Sequence, residues 1–126
     1  MTFLRIIYNF TYRLSGNAGI AEALTENVLL MHPANHNDDV LLLKQAWEDF
    51  IKYYGYLDFK GEDPTQQALL SLSSEIRCAV ILRDILGFSY GQIGTVLNES
   101  ASKAAHLISL GRQEITRSGK KPKITR

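Results

Sequence analysis

The sequence predicts an all-α protein made of two small helical domains joined by a linker, the second of them a helix-turn-helix. Three observations carry this. Only three prolines interrupt 126 residues, and Leu, Ile and Ala recur at three- and four-residue intervals with no alternating strand pattern of useful length to compete. A stretch rich in Gly, Pro and mixed charge, GYLDFKGEDPT at 55–65, separates two periodic regions. The second region closes on a short helix, a tight turn and a longer helix.

Taken in order, the first helix is expected over Phe3 to Leu14, with Phe3, Ile6, Ile7, Phe10 and Leu14 on one face, and Ser15-Gly16-Asn17 stop it. A second, from about Gly19 to Leu30, buries Ile20, Leu24, Val28 and Leu29 and leaves Glu22, Glu26 and Asn27 outside. His32 to Asn37, with Pro33, reads as a loop. Asp38 and Asp39 place negative charge at the start of a third helix, where the helix dipole favours it. That helix carries a broad apolar stripe of Val40, Leu43, Trp47, Phe50, Ile51 and Tyr54. The domains this implies are 1–55, a linker at 56–65, 66–117, and a basic flexible tail at 118–126. Halves of about sixty residues bury only ~60% of their surface, so each is expected to lean on the other or on a partner.

Beyond the linker a short helix runs from Gln66 to Leu72, then a longer one from Ser74 to Ile85 with Ile76, Ala79, Val80 and Leu82 inward. Gly87-Phe88 is a turn. Ser89-x-x-Gln92 has the spacing of a capping box, in which the hydroxyl and the amide side chain satisfy orphan backbone N–H groups. Ile93, Val96 and Leu97 form the inner face of a short helix, and Asn98 tolerates the left-handed turn that ends it. Ser100 caps the last helix, which is expected to bury Ala101, Ala104, Ile108 and Ile115. Gly94 supplies a tiny residue where helices cross. Ordinary αα-hairpins share this spacing, so a DNA-binding reading depends on its place in the whole chain.

The charge is split. Residues 112–126 hold six cations, Arg112, Arg117, Lys120, Lys121, Lys123 and Arg126, against Glu114, a net of +5; the preceding residues hold the other eight cations and twelve carboxylates, a net of −4. A single cysteine, Cys78, allows no internal disulfide and suits a reducing compartment. The N-terminal MTFLRIIYNFTYRLSG, interrupted by Arg5 and Arg13, does not read as a signal peptide, and no apolar run reaches the ~20 residues of a membrane span. A cytoplasmic protein without membrane association is expected. His32, His36 and His106 do not make a metal set, Gly87, Gly91 and Gly94 lack phosphate-loop spacing, and Cys78 sits among apolar neighbours. No catalytic constellation stands out, so neither enzyme activity nor a cofactor is expected.

Leu82-Arg83-Asp84 followed by Gly87-Phe88-Ser89-Tyr90 and Ile93, within Leu72 to Arg112, is similar to the C-terminal helix-turn-helix domain of bacterial sigma factors of the extracytoplasmic-function type. Tyr12-Arg13-Leu14-Ser15-Gly16-Asn17 and Ala21-Glu22-Ala23-Leu24 resemble the start of that family's N-terminal domain. The resemblance spans nearly the whole chain in the expected order. It implies a subunit that directs RNA polymerase core to promoter DNA. The second helix would dock on the polymerase clamp through Glu22, Glu26 and Asn27. The third would face the −10 element, and the helix after Ser100 would enter the major groove at −35. Ser100, Ser102, Lys103 and His106 would then lie nearest the bases and phosphates, with Arg112 a further cation.

The chain departs from the family pattern where DNA would be touched. The exposed face expected to be basic reads Ala104-Ala105-His106-Leu107-Ile108-Ser109-Leu110-Gly111, leaving Lys103 and Arg112 as fixed cations and Leu107 and Leu110 as apolar surface. Trp47-Glu48-Asp49 replaces a more basic run in the third helix, and Leu24 to Leu43 holds no Lys or Arg. Trp47 reads as core rather than as a base-stacking platform. Each missing phosphate contact removes a released counterion, so DNA affinity is expected to be weak at physiological salt. The tail, with Lys120 and Lys121, is either a solubilising end or an arm that grips phosphates without reading sequence. Two functions stay open: a sigma-like regulator that binds polymerase and, weakly, promoter DNA, or a sigma-like module that binds an anti-sigma factor or another regulator without reading DNA. A dimeric helix-turn-helix repressor would leave the first domain without a use.

Overall fold

A computed structural model describes residues 2–32, 38–55, 57 and 59–117, and seven α-helices run through them. They are α1 (Thr2–Ser15), α2 (Ala18–Met31), α3 (Asp39–Tyr54), α4 (Pro64–Leu70), α5 (Ser74–Val80), α6 (Tyr90–Leu97) and α7 (Ala101–Arg117). No strand occurs among the described residues.

The boundaries follow from capping chemistry. Gly16, at φ +67, ends α1, and the Asn17 Oδ1 accepts from the Ile20 N–H at 2.9 Å to start α2. The Asp38 carboxylate accepts from Leu41 N–H at 3.0 Å, and that of Asp63 from Gln66 N–H at 2.8 Å. Pro64 takes the first helical position of α4, where a missing N–H costs nothing, so this helix begins two residues before the expected Gln66. The single helix expected over 74–85 is α5 continued by a π-turn, Ile81–Ile85, in which Leu86 N–H bonds the Ile81 carbonyl at 3.0 Å.

Three helices, α1 to α3, pack on one another; α5 and α6 both pack on α7. The two sets are joined directly, because α3 lies on α6 and α1 contacts α4 and α5. One apolar core results, drawing Ile7, Phe10, Leu14, Leu43 and Phe50 from the first set and Leu69, Ile81, Leu82, Ile93 and Ile108 from the second. Each such side chain removed from water contributes about 1.5–3 kcal/mol. Thr11 and Ser15 are buried on α1 without an unmet hydrogen bond, since each hydroxyl donates to the carbonyl four residues back, at 2.9 Å.

The α1 terminus is pinned to the second set by polar groups. Arg77 is buried with no ion pair to a carboxylate among the described residues; its guanidinium donates to the carbonyls of Leu69 at 3.0 Å, Leu14 at 2.8 Å and Leu72 at 2.8 Å. The C-terminal ends of α1 and α4 thus stand in for a counter-ion. Burial lowers the Arg77 pKa, an effect opposed by neighbouring Cys78, and burial raises that of the Cys78 thiol well above its ordinary value. Beside it, Gln66 Nε2 donates to the Arg13 carbonyl at 2.8 Å while Arg13 Nη1 donates to Gln66 Oε1 at 3.3 Å. The connecting segment is held as well: the Phe59 ring lies 6.1 Å from that of Phe50, itself 6.3 Å from Trp47.

Three assignments of facing need correction. Ile51, expected in the buried stripe of α3, is 41% exposed, and Leu42 and Ala46 take the inward positions. Ala101 is exposed, whereas Leu107, expected as an outward apolar residue, is 4% exposed. The inward row of α7 is Ala104, Leu107, Ile108, Gly111 and Ile115, spaced at helical intervals that Ala101 would continue only beyond the last turn packed on α5 and α6.

Candidate nucleic-acid interface

The helix-turn-helix is assembled from short-range bonds that the residue types demand. Ser89 Oγ accepts from Gln92 N–H at 3.1 Å and Gln92 Oε1 accepts from Ser89 N–H at 2.9 Å, a complete capping box at the start of α6. Asn98 ends α6 at φ 58, and Ser100 Oγ accepts from Lys103 N–H at 3.0 Å to open α7. At Gly94 a Cβ would lie 2.5 Å from the Glu99 carbonyl oxygen, so only glycine lets the turn fold back this tightly.

Ser100, Ser102, Lys103 and His106 are all exposed at the first turns of α7. Arg112 stands apart. Its Nε donates to Asp84 Oδ2 at 3.1 Å and its Nη2 pairs with Asp84 Oδ1; the Asp84 side chain is 8% exposed and that of Arg112 46%. This hydrogen-bonded pairing raises the Arg112 pKa. A bidentate pair with a buried carboxylate makes Arg112 a brace between the π-turn and α7 first, and a phosphate ligand only with its remaining donors. Next to it the Arg83 guanidinium lies 4.4 Å over the Tyr90 ring and donates to the Phe88 carbonyl at 3.0 Å. Arg117 pairs with Glu114 at 3.2 Å in open solvent. Lys103 is therefore the fixed cation of α7 without an ion pair among the described residues. Lys120 and Lys121 lie outside those residues, as does His36.

Glu22 and Glu26 line a groove of about 670 Å³ between α1 and α2, together with Leu4, Arg5, Tyr8 and Leu29. Asn27 is exposed, but its amide donates to Asp49 Oδ2 at 3.0 Å. Asp49, expected to face outward beside Glu48, is 8% exposed and also accepts from Gln45 at 3.0 Å. It joins α2 to α3, while Glu48 at the neighbouring position is exposed. Trp47 packs on the core with its ring against Phe50. No group of three or more His, Cys, Asp or Glu side chains suited to a metal occurs among the described residues, and none of their helices is long and apolar enough to cross a membrane.

Periodicity misses the residues that make contact across the fold. Asp84 and Arg112 are 28 positions apart, and Lys44 of α3 lines a polar groove of about 540 Å³ with Gly94, Thr95, Asn98, Glu99 and Ser100. Gly111 gives no local signal either: a Cβ there would come within 2.5 Å of Val80 Cγ2, so its lack of a side chain lets α7 lie against α5.

Comparison with known proteins places this arrangement. Residues 63–115 match the family described as Sigma-70, region 4. The chain is 28% identical, over 142 aligned positions, to the ECF RNA polymerase sigma factor SigE of Mycolicibacterium smegmatis (strain ATCC 700084 / mc(2)155), covering 86% of this chain. It spans about half, 55%, of that protein's length. The fold is shared with the sigma factor RpoE of Bartonella quintana, solved in complex with the anti-sigma factor NepR: the TM-score is 0.76 at 20% identity, over 92% of this chain and 91% of that one. In sequence and in fold the chain is thus similar to sigma factors of the extracytoplasmic-function type, and residues 63–115, its C-terminal helix-turn-helix, match region 4 of the sigma-70 family.

Proposed function

We propose that this chain is a sigma-like regulator of transcription initiation that binds RNA polymerase core and, weakly, promoter DNA. The observation that carries the reading is the fully capped helix-turn-helix, with Ser102, Lys103 and His106 exposed on the first turns of α7, inside a segment that matches region 4. Ser100 and Ser102 are assigned to base edges or phosphates, Lys103 to a phosphate, and Arg112 to a brace that lends one donor edge; Lys120 and Lys121 would add sequence-independent grip. Glu22, Glu26 and Asn27 are assigned to polymerase, with Leu4, Tyr8 and Leu29 of the same groove as apolar contact surface. The division 1–55, 56–65 and 66–117 describes these two roles, and 118–126 is a basic extension of the second. The chemistry is that of a binding protein, with no reaction assigned and a cytoplasmic site of action. Run-off transcription with core polymerase tests the reading: a promoter-dependent product is expected, and absence of both product and core binding rejects it.

A second reading has its own support. The solved fold relative is bound to an anti-sigma factor, and Leu110 and Ile51, 37% and 41% exposed, put apolar surface on the two helices assigned to DNA. A module that binds an anti-sigma factor and never reads DNA would be captured by that regulator alone. Capture of polymerase without it counts against this reading.

A further inference from the structure

The groove between α1 and α2 carries both signs of charge. Arg5 of α1 and Glu22 and Glu26 of α2 line it, all three are exposed, and none makes an ion pair among the described residues. Apolar surface surrounds them. Leu4, 41% exposed, and the part-buried Tyr8 and Leu29 line the same groove, and Leu30 follows Glu26 by one helical turn on the same row of α2. At 72%, Leu30 is the most exposed large hydrophobic side chain among the described residues.

We propose that a second copy of this chain occupies the groove. The short turn at Gly16-Asn17 sends α2 back along α1, so a two-fold axis running along the groove would lay α1 of each copy over α2 of the other. Arg5 of each copy then meets Glu22 and Glu26 of the other, and Leu4 of each approaches Leu29 and Leu30 of the other. The surface is thus complementary to itself, whereas a partner of uniform charge would satisfy one sign in the groove and be repelled by the other. Two 14-residue helices present a face about 21 Å long and ~20 Å wide, or about 400 Å² on each copy. That is less than the ~800 Å² per partner of a stable complex, so the dimer is weak and reversible. Resting on the assignment of Glu22, Glu26 and Asn27 to polymerase, the dimer covers that docking face. Self-association and core binding then exclude each other, and chain in excess of core is held back as dimer.

Sedimentation velocity of the full chain at rising concentration tests the dimer. The mass is expected to climb from one chain toward two at low salt and to fall back at high salt, where exposed ion pairs are screened. A monomer at every concentration overturns the proposal and leaves the groove to another partner. Charge exchange tests the geometry. Arg5→Glu, and separately the double variant Glu22→Lys with Glu26→Lys, are each expected to weaken the dimer at least about tenfold, because a symmetric interface repeats every reversed contact. Circular dichroism checks that each variant is folded. Mixed in equal amounts the two variants are expected to form a heterodimer, since every facing pair is again of opposite sign. A mixture that stays monomeric, or single variants that dimerise as the parent does, overturns the proposal. Core polymerase added to the parent dimer is expected to give complexes with one copy per core, and a complex retaining two copies overturns the exclusion. Absence of any core binding rejects the polymerase assignment and the exclusion with it, while the mass measurements still decide the dimer.

Discussion

Arg77 is a cation whose partners are carbonyl oxygens. Replacing it with Met would fill much of the same volume but take the guanidinium donors from the carbonyls of Leu14 and Leu72, at about 1–3 kcal/mol for each that finds no water, while the Leu69 carbonyl keeps the Leu72 N–H at 3.1 Å. Arg77→Met is expected to cost at least about 2 kcal/mol, and Arg77→Lys less, because an ammonium keeps the charge near the two helix ends but cannot fork to several acceptors. Thermal unfolding followed by circular dichroism measures both; a Met variant within about 1 kcal/mol of the parent would mean that the clasp carries no weight. Such residues are illegible in the sequence. Arg77 sits in SSEIRCAV, where periodicity marks it only as a charged residue, and its acceptors are fixed by helix ends up to 63 positions away. Asp84 and Arg112 escape for the same reason. Asp49 escapes for a related one: a carboxylate beside Glu48 reads as surface until Asn27 and Gln45 are seen to supply it with donors.

At the scale of the element, local rules read well. The capping box at Ser89, the left-handed Asn98 and the Ser100 cap all follow from residue type and spacing, and all are present. Glycines in α6 separate two meanings that composition cannot. Gly94→Ala would drive a Cβ to 2.5 Å from backbone oxygen of Glu99, which has no rotamer to escape through, and is expected to cost about 2 kcal/mol. Gly91→Ala meets nothing nearer than Ser89 Oγ at 4.0 Å and is expected to stabilise α6 by up to about 1 kcal/mol. Urea midpoints of the pair check this, and equal shifts of the same sign would show that the turn is slack. The register of α7 is harder to read. Leu107 is expected outward because the resemblance assigns a polar face there, while the buried row through Gly111 depends on a close approach to Val80 that spacing alone does not disclose.

For the whole molecule, the linker between two periodic regions is visible in the Gly and Pro content of 55–65, but the connection it makes is not. Core side chains from both halves form one cluster, so unfolding is expected as a single transition with calorimetric and van't Hoff enthalpies equal. Residues 66–126 expressed alone are expected to melt without cooperativity, since Ile93, Val96 and Leu97 of α6 would lose the packing of α3. Two resolved transitions in the full chain would contradict the shared core.

The π-turn at Ile81–Ile85 has a meaning for how this sequence can change over time. Its i to i+5 bond accommodates one residue more than an α-helical turn would. Losing one residue there would let an ordinary helix continue, but would rotate the downstream helices by about 100°. Asp84 would turn from Arg112 and Tyr90 from Arg83, and the helix-turn-helix would leave α3. Substitutions at exposed positions of α7 that touch neither DNA nor Asp84 leave this geometry intact, whereas any change of length between Val80 and Gly87 undoes it.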